Sequence, residues 1–504
     1  MSTPAQLSGV TLDDIQGFIT SGYGHLPHTA YLFVHVSDAM SGRRWLRHIA
    51  PLITTAGHWP VDNRGKLIKP TSAVNLALTA NGLLACGLPR SVLCTFPPEF
   101  MEGMASAERA HILGDSGENA AAHWEIGGPN TDPLHAVVII HALDEATLDA
   151  ANAAQRSLLA TPDAGVREVV NGLQRGYRPE SGCEPFGFRD GIAQPAINGI
   201  NDVRRAGVPV GEFILGHANH YGLIAPTPVV PGNLDPQALL PLSANPYHTG
   251  QDLRDLGRNG SYVVYRKLRQ DVAGFWQFMK REATRIAGTA DVAHMIWLAA
   301  KCVGRWPSGA PLTLSPDVDD PRLVRCNDFQ YASDAHGYGC PLGAHVRRTN
   351  PRDMLKPYPA AQSLSMTEAH RILRRGRVCG APLFDPRMLQ RTPTHVEQQA
   401  LLAITDDGQP RGIHFVCVNA SIKSQFEFIQ QNWCNSPRFG GLNDNKDPLV
   451  ASTYENEAAN RMTIRLQPVG IRTSALPNFV TVRAGAYLFM PSKSAIRFLG
   501  ALGT

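Results

Sequence analysis

The chain has 504 residues, enough for two to four core-forming units or two enlarged ones. Hydrophobic residues make up 43% of it, charged residues 18%, and the formal net charge is +4. This composition excludes extended disorder and gives no electrostatic case for binding nucleic acid or an anionic membrane. No stretch of about 18 apolar residues is free of charge, so no transmembrane helix is expected. Small-molecule chemistry is the better expectation.

Two features of the sequence bear on the compartment. Residues 1–14 mix polar and acidic side chains and lack the basic and then apolar regions of a secretory signal. The nine cysteines are odd in number and form no CxxC pair, which favours reduced thiols over a disulfide framework or a zinc site. We therefore expect a cytoplasmic protein.

Along the chain, a β-rich run followed by a helical pattern recurs four times. The four units are residues 30–36 with 45–53, 135–143 with 144–160, 261–268 with 271–287, and 412–418 with 420–433. A further strand is expected over residues 479–490. Two such units in each half predict an α+β fold of two ferredoxin-like domains, built on antiparallel sheets with helices on one face.

The predicted domains are residues 1–223 and 256–504, joined by residues 224–255. The Pro-rich stretch 224–252 has few periodic apolar positions and is expected to be a surface connection without strand or helix. Residues 303–352 are a second irregular stretch, and long irregular segments in a compact protein are more often functional.

The sharpest local string is Gly187-Phe188-Arg189-Asp190-Gly191. An acidic residue between glycines is most often a turn, because Asp and Gly both tolerate turn geometry. The same glycines would also let the backbone pass close to a flat ligand, with Asp190 as a short acid aimed at it. Spacing alone leaves both interpretations open.

A second candidate is His345, preceded by small residues and followed by three arginines within residues 347–352. Most histidines are surface or hydrogen-bonded core residues. Imidazole is also a good iron ligand, and nearby guanidinium groups suit the propionates of a haem.

The third candidate is the basic cluster that contains Arg374, within residues 370–377. Without context it would be the solvated end of a helix near Gly376. A permanently charged planar donor is also what a peroxide site needs, since it can stabilise negative charge on a departing oxygen.

The three strings together resemble the dye-decolourising peroxidases. FGFRDGIAQP (186–195) is similar to the GxxDG signature of that family, GAHVRRTNPR (343–352) to its proximal-histidine segment and ILRRG (372–376) to its distal-arginine segment. Further similar strings lie at 259–272, 426–433, 439–449 and 484–492, so the resemblance spans most of the chain. It is closest to the larger class of the family that lacks a signal peptide.

The resemblance implies a haem b (iron protoporphyrin IX) bound between sheet and helices, mainly in the C-terminal domain. His345 would be the iron ligand, Asp190 the distal acid–base group and Arg374 its partner. Arg347 is a candidate for a haem propionate. The proximal histidine of the family hydrogen-bonds a carboxylate, and we expect Glu427 to provide it.

The implied activity is reduction of hydrogen peroxide, followed by one-electron oxidation of bulky phenolic or dye-like donors through a ferryl haem. Two positions depart from the family pattern. Ser421 stands where relatives often have Asp, and Cys379 stands where an aromatic is common, so a thiol near the oxidising side could itself be oxidised.

Two alternatives remain at this point. A haem-binding protein for storage, transport or release of haem or iron would need His345 but not Asp190. A two-domain α+β scaffold without haem would require all three strings to be coincidental. The sequence does not identify the physiological reductant, a surface radical site, the oligomeric state or an encapsulating partner.

Overall fold

The computed structural model describes residues 10–57, 59–160, 165–200, 207–452 and 460–503. Its strands are β1 (His28–Val36), β2 (Ser72–Leu78), β3 (Ala136–Ala142), β4 (Val166–Tyr177), β5 (Val229–Pro231), β6 (Leu253–Asp255), β7 (Ser261–Gln270), β8 (Leu373–Arg374), β9 (Arg377–Cys379), β10 (Gly412–Asn419), β11 (Thr463–Ile464), β12 (Ile471–Arg472) and β13 (Val480–Met490). The long strands are rich in β-branched and aromatic residues. β3 (AVVIIHA) is buried at every position, as expected of a strand covered on both faces.

Eight of the described α-helices begin after a Ser, Thr or Asp whose side chain accepts a hydrogen bond from a backbone amide of the first turn. α8, for example, starts after Asp271, whose side chain accepts a bond from the amide of Gly274, and ends at Gly288 in the left-handed conformation. The helices are α1 (Gly17–Thr20), α2 (Ala39–Ile49), α3 (Ala80–Ala85), α4 (Arg90–Leu93), α5 (Pro98–Glu102), α6 (Ala107–Leu113), α7 (Glu145–Leu159), α8 (Val272–Ala287), α9 (Val292–Val303), α10 (His345–Thr349), α11 (Ala360–Glu368), α12 (His395–Leu402) and α13 (Lys493–Ala501). Two π-helical turns follow β10, at Lys423–Glu427 and Ile429–Cys434.

The strands form two antiparallel sets of the same topology. In the first half the spatial order is β4-β1-β3-β2, and in the second half it is β9-β10-β7-β13. Each order is the 4-1-3-2 arrangement of a ferredoxin-like unit, with β8 and β9 together serving as the second strand of the second unit. The predicted α+β class and ferredoxin-like architecture are confirmed. The boundaries predicted at 223 and 256 stay a prediction.

The two sets join edge to edge into one closed barrel. β4 meets β9 through Tyr177 and Val378, and β13 meets β2 through Phe489 and Leu78. β10 also pairs with β7 along eight residues, which completes the ring. Closure removes the exposed strand edges that would otherwise invite aggregation.

Alternation along the strands divides the core in two. One core cluster fills the inside of the barrel and draws residues from both strand sets, including Tyr31, Phe33 and Tyr265. Neighbouring positions such as Leu32 and Val34 face outward and pack under α2, α3 and α13. A third cluster, built on α8 and α9, lies outside the second strand set. The candidate site lies against this cluster.

Two expectations about local structure change. The connection 224–252 contains a short strand, β5, because Val230 is fully buried and the strand pairs with β6. Arg374 and Arg377 lie on β8 and β9 rather than at a helix end, because both strands pair with β10. All nine cysteines are free thiols.

In the described part of the chain no single helix is long and apolar enough to cross a membrane, and only α8 and α9 together, bent by 111°, reach that length and composition.

Candidate active site

A cavity of about 300 Å³ lies between the outer face of β7 and β10, the GxxDG loop and α10. This volume is at the lower end of the range for ligand sites, roughly 300–1,000 Å³. The three candidates Asp190, Arg374 and His345 all line it. Its walls are mainly apolar, formed among others by Phe188, Ile192, Leu268, Val346, Ile372, Phe415 and Ile429. The structure therefore brings together three segments that are up to 184 residues apart in sequence.

The GxxDG loop holds Asp190 at the cavity wall through its own backbone. Gly187 and Gly191 have φ of 104° and 80°, which side chains rarely tolerate, and a Cβ at Gly187 would approach Leu389 to 2.5 Å. The amide of Asp190 donates to the carbonyl of Gly182 at 3.0 Å. The glycines are thus turn residues, and the turn that they make places the side chain of Asp190 at the cavity wall.

Asp190 and Arg374 form a direct ion pair. Arg374 Nη1 donates to Asp190 Oδ1 at 2.6 Å, and the amide of Gly191 donates to the same oxygen at 2.6 Å. Oδ2 receives no hydrogen bond from the described residues. The pair thus leaves one carboxylate oxygen available for a ligand in the cavity.

The position of Arg374 depends on a residue that the sequence did not single out. Gln194 Oε1 accepts from the amide of Arg374 at 3.1 Å, and Gln194 Nε2 donates to its carbonyl at 3.0 Å. This two-bond clamp fixes β8 against the GxxDG segment. Gln194 lies in the same string as Asp190, but only the folded chain shows that it contacts residue 374.

The electrostatics of the site keep Asp190 ionised. Half of its side-chain surface is exposed, but the open space is the cavity, so the carboxyl is surrounded by protein. Burial raises the pKa of Asp190, while the charge of Arg374 and the amide of Gly191 lower it more, so the net pKa lies below the ordinary value. Asp190 is therefore a carboxylate near neutral pH and can accept a proton.

His345 is the first residue of α10 and lines the same cavity. The end of α9 packs closely against α10. A Cβ at Gly304, the residue that ends α9, would lie 2.4 Å from Val346 Cγ2. The small residue Ala344 caps α10. The charges of Asp190 and Arg374 both affect the pKa of His345, which places the three groups within electrostatic reach across the cavity.

The carboxylate partner of His345 is Asp447. His345 Nδ1 donates to Asp447 Oδ2 at 2.9 Å, and the fully buried Asp447 also accepts bonds from the amides of Leu449 and Val450. Burial raises the pKa of Asp447, but His345 and Arg348 lower it to below its ordinary value. Burial lowers the pKa of His345, but Asp447 outweighs this and raises it. The bond occupies Nδ1 and leaves Nε2 without a hydrogen-bond partner among the described residues.

The prediction of Glu427 as this partner is wrong. Glu427 does not line the cavity; its Oε2 accepts from Arg109 Nη1 at 3.1 Å and its Oε1 from the hydroxyl of Tyr487 at 2.8 Å. Both oxygens are therefore used in a separate buried cluster. Ser421, the other position considered near this segment, accepts a bond from the amide of Ser424.

Comparisons with known proteins agree with this geometry. Residues 14–175 match the model of a family described as the DyP dimeric alpha+beta barrel domain. The dye-decolourising peroxidase of Mycena epipterygia is 30% identical over an alignment of 522 residues, which covers 97% of this chain and 87% of that protein. The chain belongs to the dye-decolourising peroxidase family. It is therefore a peroxidase, and membership of the family implies a haem cofactor.

Solved dye-decolourising peroxidases have the same fold over their whole length. A fungal DyP-type peroxidase from Auricularia auricula-judae has a TM-score of 0.74 at 26% identity, covering 98% of this chain and 100% of that one. A dye-decolourising peroxidase in complex with 2,6-dimethoxyphenol has a TM-score of 0.72 at 26% identity, with the same coverage.

Haem fits the residues of this dye-decolourising peroxidase. The cavity is lined by an imidazole with one nitrogen unbonded among the described residues, by a carboxylate–guanidinium pair and by apolar side chains. An imidazole whose other nitrogen donates to a carboxylate is the usual arrangement of a metal-ligating histidine. The donor set therefore suits an iron porphyrin.

The prediction of Arg347 as a propionate ligand is wrong. Arg347 is completely buried outside the cavity, where it donates to Asp334, to the carbonyl of Cys340 at 2.6 Å and to Met354, and lies over the ring of Tyr331. It is a structural residue that fixes the segment before His345.

Besides Arg374, the arginines that line the cavity are Arg189, Arg266, Arg305, Arg352 and Arg371. Of these, Arg371 is the best placed for an anionic group. Arg371 has one hydrogen bond from its side chain, to the carbonyl of Ala193, and burial together with the charge of Arg352 lowers its pKa to about 10. Arg352 belongs to the quoted proximal string and has φ of 54°, but its guanidinium already donates to the carbonyls of Asn327 and Phe329 and to the side chain of Asn327.

Cys379, the second departure from the family pattern, does not line the cavity of this peroxidase. It lies on β9 and is partly buried, and burial raises the pKa of its thiol to about 11. The group is therefore a thiol rather than a thiolate at neutral pH, which makes it a poor nucleophile.

Proposed function

We propose that the chain binds haem b with His345 as axial ligand, reduces hydrogen peroxide with Asp190 and Arg374, and oxidises bulky phenolic or dye-like donors. One observation carries the proposal. The free Nε2 side of His345 and the Asp190–Arg374 pair belong to the same mainly apolar cavity. Haem, when bound, supplies the iron redox chemistry; the roles below belong to the protein.

His345 would hold the cofactor, and Asp447 would orient the imidazole ring of His345. The bond from Nδ1 to the buried carboxylate fixes the ring and its tautomer, so that the Nε2 lone pair points away from Asp447. The negative charge of Asp447 also raises the basicity of the imidazole. Arg371 would bind a propionate, because guanidinium groups bind carboxylates in a bidentate manner and its side chain makes one hydrogen bond, to the carbonyl of Ala193, among the described residues.

Asp190 would move the proton during peroxide cleavage. As a carboxylate it can accept the first proton of hydrogen peroxide on Oδ2 and return it to the oxygen that leaves as water. Arg374 would remain charged, hold Asp190 through Oδ1 and stabilise the negative charge that develops as the O–O bond breaks. Gln194 would keep Arg374 in place.

The proposal also covers the donor class and the compartment. A solved relative is a complex with 2,6-dimethoxyphenol, which supports phenols as donors for this chain. The nine free cysteines support the cytoplasm as the compartment.

The cofactor assignment is tested by absorption spectra of the purified protein and of His345→Ala. We expect a Soret band in the wild type and a folded but haem-depleted variant, because the only proposed protein ligand is removed. His294→Ala is the matched control. His294 Nδ1 also bonds an aspartate, Asp291, at 2.8 Å, but this pair is exposed and outside the cavity. If His345→Ala retained full haem with an unchanged spectrum, the ligand assignment would be wrong.

A further inference from the structure

A tyrosine–histidine pair lies inside the barrel, directly behind the wall of the cavity. On β7 and β10, Arg266, Ile413 and Phe415 face the cavity, whereas their sequence neighbours Tyr265 and His414 face the barrel interior. Tyr265 is 2% exposed and His414 1% exposed. The pair and the cavity thus lie on opposite faces of the same two paired strands, β7 and β10.

The hydrogen bond between the two side chains has a defined direction. Tyr265 Oη and His414 Nδ1 are 2.9 Å apart, and His414 Nε2 lies 3.0 Å from the carbonyl oxygen of Arg175. A carbonyl can only accept, so Nε2 carries the hydrogen and Nδ1 is the acceptor. The phenol of Tyr265 therefore donates to a neutral imidazole. Burial lowers the pKa of His414 to about 4, in agreement with an unprotonated ring.

We propose that Tyr265 and His414 form an internal one-electron oxidation site, which accepts oxidising equivalents when peroxide is reduced and no external donor is present. The proposal rests on the proposed peroxidase function, which supplies the oxidant. It goes beyond that function, because neither residue lines the cavity where peroxide reacts.

The step balances in protons and electrons. Tyr265 gives one electron to the oxidised cofactor site, and its phenolic proton moves along the existing bond to His414 Nδ1. The products are a neutral tyrosyl radical and an imidazolium. An enzyme that oxidises phenols can oxidise this phenol too, and the adjacent base removes the need to form a buried phenol cation.

Tyr31 provides an internal comparison. Its ring lies 4.9 Å from that of His414 and 5.6 Å from that of Tyr265, and it is fully buried. Its hydroxyl has no hydrogen-bond partner among the described residues. Oxidation of Tyr31 would leave a proton with nowhere to go, so the radical is expected on Tyr265.

The test is freeze-quench electron paramagnetic resonance of the haem-loaded enzyme, mixed with one equivalent of hydrogen peroxide without donor. Ring-deuterated tyrosine should narrow the radical signal, which assigns it to tyrosine. The signal should be lost in Tyr265→Phe, remain unchanged in Tyr31→Phe and fall strongly in His414→Gln, whose amide can accept the hydrogen bond but not the proton. Tyr265→Phe should also lose haem absorbance faster under repeated peroxide additions.

Several outcomes would overturn the proposal: a tyrosyl signal of equal size in Tyr265→Phe, loss of the signal in Tyr31→Phe instead, or no tyrosyl signal in the wild type. The Soret response to peroxide, followed in the same samples, separates the two levels of inference. A wild type whose Soret band does not respond contradicts the proposed function itself, whereas a normal response without a tyrosyl radical contradicts only the Tyr265–His414 site.

Discussion

Replacing Asp447 by Asn tests the proximal side of the site, because it removes a charge and keeps the shape. Asp447 uses one oxygen for His345 and the other for the amides of Leu449 and Val450, all of which are donors. An Asn amide has one acceptor and one donor. Its nitrogen must therefore face either His345 Nδ1–H or the two backbone amides, and one set of bonds is lost.

The expected magnitude follows from that loss. A hydrogen bond to a charged group contributes about 1.5–3 kcal/mol, and loss of the partner of a metal-ligating histidine lowers metal affinity roughly 10- to 100-fold. The two ranges agree, since tenfold corresponds to about 1.4 kcal/mol. We expect Asp447→Asn to bind haem more weakly by this factor. The assay is titration of the apoprotein with haem, followed at the Soret band.

Glu427→Gln is the matched control for this experiment. Glu427 is also a buried carboxylate, but its partners are Arg109 and Tyr487 and it does not line the cavity. The haem affinity of Glu427→Gln should equal that of the wild type. Wild-type affinity in Asp447→Asn together with weakened binding in Glu427→Gln would refute the assignment of the proximal partner.

Two further predictions concern the peroxide step, and a third concerns the stability of the fold. Arg374→Leu should move the acidic limb of the pH–rate profile of the peroxide step to higher pH, because burial then raises the pKa of Asp190 without the main opposing charge. If the acidic limb stayed at the same pH, Asp190 would not be the group that determines it. Gln194→Ala should slow the peroxide step, measured by stopped-flow, roughly 10- to 100-fold at unchanged haem content, because Arg374 loses both hydrogen bonds to Gln194. An unchanged rate would contradict the role of Gln194 in positioning Arg374. Burial raises the pKa of Glu184 from 4.5 to about 7, so the folded protein keeps a proton that the unfolded chain has released. The free energy of unfolding should therefore fall as pH rises through this interval, and chemical denaturation of Glu184→Gln should show a smaller fall.

The fold was predictable where its signals are local. The runs that became β1, β3, β7, β10 and β13 are apolar, β-branched and bounded by turns or helix caps, so their type can be read from short windows. Closure of the barrel could not be predicted in this way. It depends on Tyr177 meeting Val378 and Phe489 meeting Leu78, single contacts that join residues 201 and 411 positions apart.

The same distinction applies to the site. Asp190, His345 and Arg374 lie in compact strings, and the structure places all three at one cavity. Asp447 lies 102 residues from His345. It belongs to the string 439–449, for which the resemblance to the family implied no role, and no periodicity in the sequence connects the two residues. Arg347 was misjudged because the sequence shows three arginines near His345 but not which of them turn toward the cavity.

The most direct test of the account is stopped-flow mixing of hydrogen peroxide with the wild type and with Asp190→Asn, at equal haem content measured at the Soret band. Asn keeps the size of the side chain and cannot take up the peroxide proton, so the peroxide-driven spectral change should slow by roughly 10² to 10⁴ while haem retention stays the same. An unaltered rate in Asp190→Asn would contradict the distal assignment, and equally slow reaction in both proteins would instead support a haem-binding protein with incidental turnover.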